Sequence, residues 1–188
     1  MMLGFYKLNP NVTIPSYATE WAACFDLRAW FANETSLTSY TPKNEERKLQ
    51  VSSPQSWTYS WLQHDWRCSK LHITIHPGHR VKIPTGLILD IPEGYSVRIH
   101  PRSGTALKRG LKLSNGEGII DADYVEPLYI LMTNTSQQEI VIAHDERIVQ
   151  GELVVAGTGL TQHPLEECFD RPLQKTSRSG GFGSTGTA

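Results

Sequence analysis

Short apolar runs, cut apart by proline, glycine and asparagine, set the rhythm of this chain. Leu71, Ile73 and Ile75 alternate with His72, Thr74 and His76, the two-residue period of a strand with one buried face. Similar runs occupy residues 80–83, 86–91 and 95–100, and again 128–133, 139–143 and 148–155. Pro77-Gly78, Pro84-Thr-Gly86 and Pro92-Glu-Gly94 separate them as turns. Many short strands at this spacing predict a β-sandwich or jelly-roll-like barrel. One short helix is expected from Ser103, which can cap its first turn, to Gly110, which can supply a left-handed exit. No internal repeat is visible.

Two stretches depart from this pattern. Residues 34–70 are polar and proline-broken, then aromatic, with Trp57, Tyr59, Trp61 and Trp66 close together. The tail from Ser177 to Ala188 is rich in glycine and serine and reads by composition as a flexible end.

Composition narrows the class. The 188 residues suit one domain, or one domain with an insert, and 39% hydrophobic against 20% charged residues is a globular balance. A net charge of −1 provides no basic field for nucleic acid or an anionic membrane. Cys24, Cys68 and Cys168 are widely spaced, which argues against a disulfide framework or a zinc knuckle. No apolar run approaches a membrane span and the first ten residues do not resemble a secretory signal, so a cytoplasmic protein is expected.

Four segments can carry chemistry. Pro101-Arg-Ser-Gly104 places an arginine and a hydroxyl where a strand gives way to a helix; it reads as a phosphate site or as an ordinary capped turn. Asn115-Gly116 is a hairpin signal, followed by Ile119 and Ile120 running into Asp121-Ala-Asp123-Tyr124. Carboxylates beside aliphatics suggest pairing, metal linkage or catalysis, or else a solvated acid pair at a turn. Asp26 either holds Mg2+ through water or pairs with Arg28. Arg147 and Gln150 stand at a strand start. His72, His76, His79 and His100 lack an acid or cysteine at ligand spacing, so solvent-facing strand histidines are expected rather than a metal set. The chain has neither a P-loop nor a G-x-S-x-G elbow.

Taken in order, Ala23-Cys-Phe-Asp-Leu-Arg-Ala29, Pro101-Arg-Ser-Gly104, Gly118-Ile-Ile-Asp-Ala-Asp-Tyr124, Arg147-Ile-Val-Gln150 and Gly180-Gly-Phe-Gly-Ser-Thr-Gly186 resemble the five motifs of the trimeric dUTPase family. The resemblance implies an all-β, jelly-roll homotrimer whose active sites each draw on three subunits. The implied reaction is Mg2+-dependent hydrolysis of dUTP to dUMP and pyrophosphate. Asp121 would activate the attacking water. Asn115, with the Gly118 and Ile120 backbone, would read uracil, and Tyr124 would pack on the deoxyribose. Arg102, Ser103, Gly104 and Gln150 would hold the phosphates, and Asp26 would bind Mg2+ through water. Residues 1–176 would form the barrel and 177–188 a lid, with Phe182 over the base and Arg178, Gly183, Ser184 and Thr185 at the phosphates. Residues 34–70 would be an insertion between the first two motifs, a satellite core or a protein-partner patch.

The chain departs from the family pattern at particular places. Cys24 and Asp145 stand where the family has glycine, Glu126 stands where a glycine is expected after Tyr124, and Ser177-Arg178 replace an Arg-Gly pair. The related dCTP deaminases carry a catalytic glutamate ten residues after the matching aspartate, a place held here by Leu131. A non-catalytic trimeric regulator on the same barrel is the alternative from outside enzymology.

Overall fold

The computed structural model describes residues 2–53, 71–156 and 165–174. Trp57, Tyr59, Trp61, Trp66 and the tail residues Arg178, Phe182, Gly183, Ser184 and Thr185 lie outside the described residues. The elements, in order, are β1 (Leu3–Lys7), β2 (Phe25–Arg28), β3 (Ser36–Tyr40), β4 (Glu46–Gln50), β5 (His72–Ile75), β6 (Arg80–Pro84) and β7 (Leu87–Asp90). They continue with β8 (Tyr95–Pro101), α1 (Ser103–Arg109), β9 (Leu111–Leu113), β10 (Gly118–Asp121), β11 (Tyr129–Asn134), β12 (Ile140–Ala143), β13 (Arg147–Val155) and β14 (Leu165–Cys168). Every strand run read from the hydrophobic alternation is present. No described helix is long and apolar enough to cross a membrane.

Among the described residues four sheets form a jelly-roll-like fold, with strand orders β14-β1-β7, β10-β8-β13-β2, β4-β3-β6-β11-β9 and β12-β5. Pairings are antiparallel except β1 with β14. Their apolar faces meet in one core around Phe5, Phe25, Leu27, Phe31, Ile73 and Ile83, all fully buried. Phe5 and Phe25 pack edge to face with centroids 5.4 Å apart, a favoured aromatic geometry. Gly151 on β13 is needed beneath that pair: a Cβ there would lie 2.5 Å from the Phe25 ring.

The β10-β8-β13-β2 sheet positions the chemistry. On β8, Val97 and Ile99 face the core while Arg98 and His100 face outward, as the period of two requires. Across the ladder His100 stands opposite Gln150, Arg98 opposite Glu152, and Asp26 opposite Gln150. A register shift between Arg147 and Val149 bends the start of β13, and irregularities of this kind re-aim side chains at strand ends.

Three expectations need correction. Arg102, not Ser103, is the N-cap of α1, and no side chain caps the helix; Ser103 is its first residue. Pro101 still belongs to β8, so the extended conformation runs one residue past the proline. Gly110 does supply the left-handed exit, at φ 68°. The Asn115-Gly116 turn forms, with Gly116 at φ 74°, but β9 and β10 do not pair with each other. β9 joins β11 and β10 joins β8, so the turn carries the chain from one sheet to another. Finally, residues 36–50, read as polar and broken, form the β3–β4 hairpin. It extends the large sheet through Ser39 opposite Val81 and Tyr40 opposite Arg80.

Candidate active site

The end of β8, the start of α1, β2 and β13 enclose a cleft of about 850 Å3. Asp26, Arg102, Ser103, Gly104 and Gln150 all line it. Arg102 Nε donates to Asp26 Oδ1 at 2.9 Å, and Arg147 donates to Asp26 Oδ2 at 3.0 Å. The Asp26 side chain is 17% exposed, so each guanidinium offsets part of its desolvation. Pairing with Arg28 does not occur; Arg28 donates instead to the Asp145 carbonyl at 2.7 Å and its carboxylate at 3.3 Å. Asp145 adopts φ 63°, a left-handed conformation that aspartate tolerates better than most side chains.

Gln150 donates from Nε2 to the Pro101 carbonyl at 3.3 Å, tying β13 to the strand end. Lys108 and Arg109 also line the cleft, and Arg109 pairs with Glu146. These two cations were not singled out from sequence; the available signal is their place in the last turn of a helix whose first turn already carries the motif. The positive character of the cleft therefore comes from side chains, not from a helix of seven residues. Cys24 lies on its wall, its thiol pushed up by burial and then by the Glu152 and Asp26 charges.

A second pocket, of about 240 Å3, opens beside the Asn115-Gly116 turn. Asn115, Gly118, Ile120, Asp121 and Tyr124 line it together. Gly118 lies close against β8, where a Cβ would come 3.0 Å from the Cβ of Ile99. Tyr124 is set by its N–H on the Asp121 carbonyl, 3.0 Å, and its hydroxyl on the Pro127 carbonyl, 3.1 Å. Asp121 is not embedded among buried aliphatics: it is exposed, and Ile119 before it is 54% exposed. Among the described residues β10 is an edge strand of its sheet. Tyr129 and Leu131 complete the pocket. Tyr129, also missed from sequence, has the Lys82 ammonium 4.0 Å above its ring.

The two pockets share no lining residue among those described. Asp121 and Asp26 sit on opposite edges of one four-stranded sheet. Three strand spacings put them about 14 Å apart laterally, and their registers, at Ser96 and His100 of β8, add about 13 Å lengthwise. Neither side chain spans that distance.

A guanidinium-lined cleft and a small pocket edged by an amide, a carboxylate and an aromatic ring complement the two ends of a nucleoside phosphate, which places the chain among nucleotide-processing β proteins. The dUTPase family profile matches residues 68–186. The deoxyuridine 5'-triphosphate nucleotidohydrolase of Caulobacter vibrioides is 33% identical over 179 residues, covering 95% of this chain and 88% of that one. The enzyme of the same name from Roseobacter denitrificans is 42% identical over 120 residues, 63% of this chain and 75% of its own. The chain belongs to the dUTPase family. Its fold is similar to dUTPase from Streptococcus mutans, with TM-score 0.54 at 23% identity, over 81% of this chain and 94% of that one. The dUTPase of phage phi11 of S. aureus, described with a species-specific insert, gives TM-score 0.56 at 17% identity over 87% and 96% of the two chains.

Proposed function

We propose that this protein hydrolyses dUTP to dUMP and pyrophosphate with Mg2+, in a homotrimer whose sites combine the base pocket of one subunit with the phosphate cleft of another. The observation that carries this reading is the separation of Asp121 from Asp26 and Arg102 across one sheet, with both pockets otherwise furnished for the same substrate. A water attacking the α-phosphorus must touch its base while the phosphates touch their arginines, so the two halves belong to different copies.

Asn115 and the neighbouring backbone receive the uracil edge. Cytosine presents a donor where uracil presents an acceptor and leaves a mismatched polar pair. The Tyr124 ring packs against the deoxyribose and crowds a 2′-hydroxyl. The Asp121 carboxylate accepts the proton of the attacking water. The water oxygen bonds to the α-phosphorus, the bond from that phosphorus to the bridging oxygen breaks, and pyrophosphate carries away the electron pair. Arg102, Ser103, Gly104 and Gln150 orient the chain of phosphates, and Arg147 joins them through its contact with Asp26.

The cleft fits Mg2+ in one manner. Among the described residues no group of three or more His, Cys, Asp or Glu side chains is placed to hold a metal, whereas Asp26 presents one largely covered carboxylate, shared with Arg102 and Arg147, at the edge of the cleft. Mg2+ keeps waters and takes few protein ligands beside phosphates, so Asp26 would hold it through water. When bound, it neutralises triphosphate charge.

Residues 1–176 form the catalytic barrel in this reading. Residues 177–188 form a lid bringing Phe182 to the base and Arg178, Gly183, Ser184 and Thr185 to the phosphates. Residues 34–70 are an insertion, and the protein acts in the cytoplasm. Leu131, which lines the base pocket, provides no acid for deamination.

Purified protein with Mg2+ and each of dUTP, dCTP, dTTP and UTP, scored for pyrophosphate and ammonia, tests the reading. Only dUTP should turn over well, and Asp121→Asn should lose most of the rate while still binding nucleotide. Ammonia from dCTP would replace hydrolysis with deamination. Binding without turnover would make the protein a regulator.

A further inference from the structure

Between the two pockets lies a charged cluster that the chemistry above does not use. It comprises Arg98 and His100 on β8, Glu117 just before β10, and Glu152 on β13. Arg98 donates to Glu117 at 3.0 Å. His100 Nε2 lies 3.3 Å from Glu152 Oε2, and its Nδ1 lies 3.6 Å from Glu117 Oε1. The side chains of His100 and Glu152 are mostly covered, at 29% and 17% exposed, so these contacts are less screened than surface pairs.

The position of Glu117 makes the cluster consequential. Its backbone N–H donates to the Asn115 carbonyl at 2.8 Å, closing the far side of the base-reading turn. The near side is anchored on the other sheet, where Ser114 donates its N–H to the Leu131 carbonyl at 2.9 Å and shares a 2.7 Å hydroxyl contact with Thr133. Asn115 is therefore slung between two sheets that do not hydrogen-bond to each other through β9 and β10. Asn115, Gly116 and Glu117 are all exposed, so core packing does not fix them. On the β8 side the ladder begins at Gly118 opposite Ile99, and the Glu117 side chain just before it takes Arg98 at 3.0 Å and faces His100, whose other nitrogen meets Glu152, two residues beyond Gln150.

We propose that His100 is a positioning residue for base recognition: its ring stands between Glu152, at 3.3 Å, and Glu117, at 3.6 Å, and together with Arg98 holds the Asn115 turn at a set distance from β13. A rigid ring with a nitrogen on either side suits this bridge, because it holds two carboxylates apart with few rotatable bonds. The inference rests on the reading of the Asn115 turn as the uracil contact. Loosening the turn removes binding that substrate and transition state share, which raises KM and leaves kcat in place.

Steady-state kinetics of the full-length protein test it. His100→Ala should raise KM for dUTP about fivefold, keep kcat within about twofold, and lower the preference for dUTP over dCTP. Inhibition by inorganic tripolyphosphate, which occupies the phosphate cleft alone, should not change. Glu152→Gln, nearly identical in shape, should move KM in the same direction and serves where His100→Ala does not fold. Adding His100→Ala to Glu152→Gln should cost little more than either alone, because both cut one bridge. A purely structural role would lower the active fraction and hence kcat with KM unmoved, and that result overturns the proposal, as does an unchanged KM in both folded variants. A wild-type protein that neither binds nor hydrolyses dUTP would overturn the functional reading and this inference with it. A normal wild type with unaltered variants would overturn this inference alone.

Discussion

Single atoms decide several features at the residue scale. Gly151 has no side chain because the Phe25 ring fills the space, and no rotamer change of a flexible neighbour can make room. Gly151→Ala should therefore lower stability by about 1–3 kcal/mol, read as a drop in thermal midpoint without a change in the far-ultraviolet spectrum of the folded state. An unchanged midpoint would mean that Phe25 has room to shift. Asp145 shows the opposite case, a side chain kept at a left-handed position because it repays the strain: its carboxylate and carbonyl both receive Arg28, and Thr13 donates to it at 3.3 Å. Its use was not legible in the sequence, since Thr13 and Arg28 reach it from distant segments.

Among the elements, the β5–β6 connection carries a pH response. His79 is held below its ordinary value of 6.5 by burial first and by the neighbouring His76 second. The unfolded chain binds this proton more readily than the folded one. The contribution to stability is thus complete above pH about 6.5 and is lost as pH falls through the lower folded value. Stability should decline on acidification from pH 7 to 5, and His79→Gln should reduce that slope in urea titrations; an unchanged slope would remove His79 from the account. The same element scale shows where local reading stops. Apolar runs and alternation located β5 to β8 and β11 to β13, whereas β1, β3, β4 and β14 escaped notice. β4, with Glu46, Arg47 and Lys48, is a charged edge strand, and its hydrogen-bonding to β3 supplies what its side chains do not advertise. Charge on such an edge also discourages further strands from adding to it.

At the scale of the whole molecule, the separation of the two pockets makes a prediction about assembly. In the proposed trimer, Asp121→Asn would spoil the base half of a site and Arg102→Ala the phosphate half. Hybrid trimers of the two inactive variants should regain activity, about a quarter of the wild-type rate at equal random mixing, because one site in each hybrid is intact. No recovery from mixed trimers would place the whole site within one chain. Size-exclusion mass near three chains is the accompanying expectation.

The sequence by itself determined the strand runs of β5 to β8 and β11 to β13, the helix with its glycine exit and the turn at Asn115-Gly116, because periodicity and turn chemistry are local properties. The family resemblance was legible for a related reason: the residues that carry it lie in short contiguous motifs. Only the tertiary structure decided that β9 and β10 go to different sheets, that Asp26 takes Arg102 and Arg147 rather than Arg28, that Lys108, Arg109 and Tyr129 line the pockets, and that the His100 cluster forms between them. Strand edges accept any backbone partner and a carboxylate accepts any guanidinium, so the choice among them rests on which faces the core brings together.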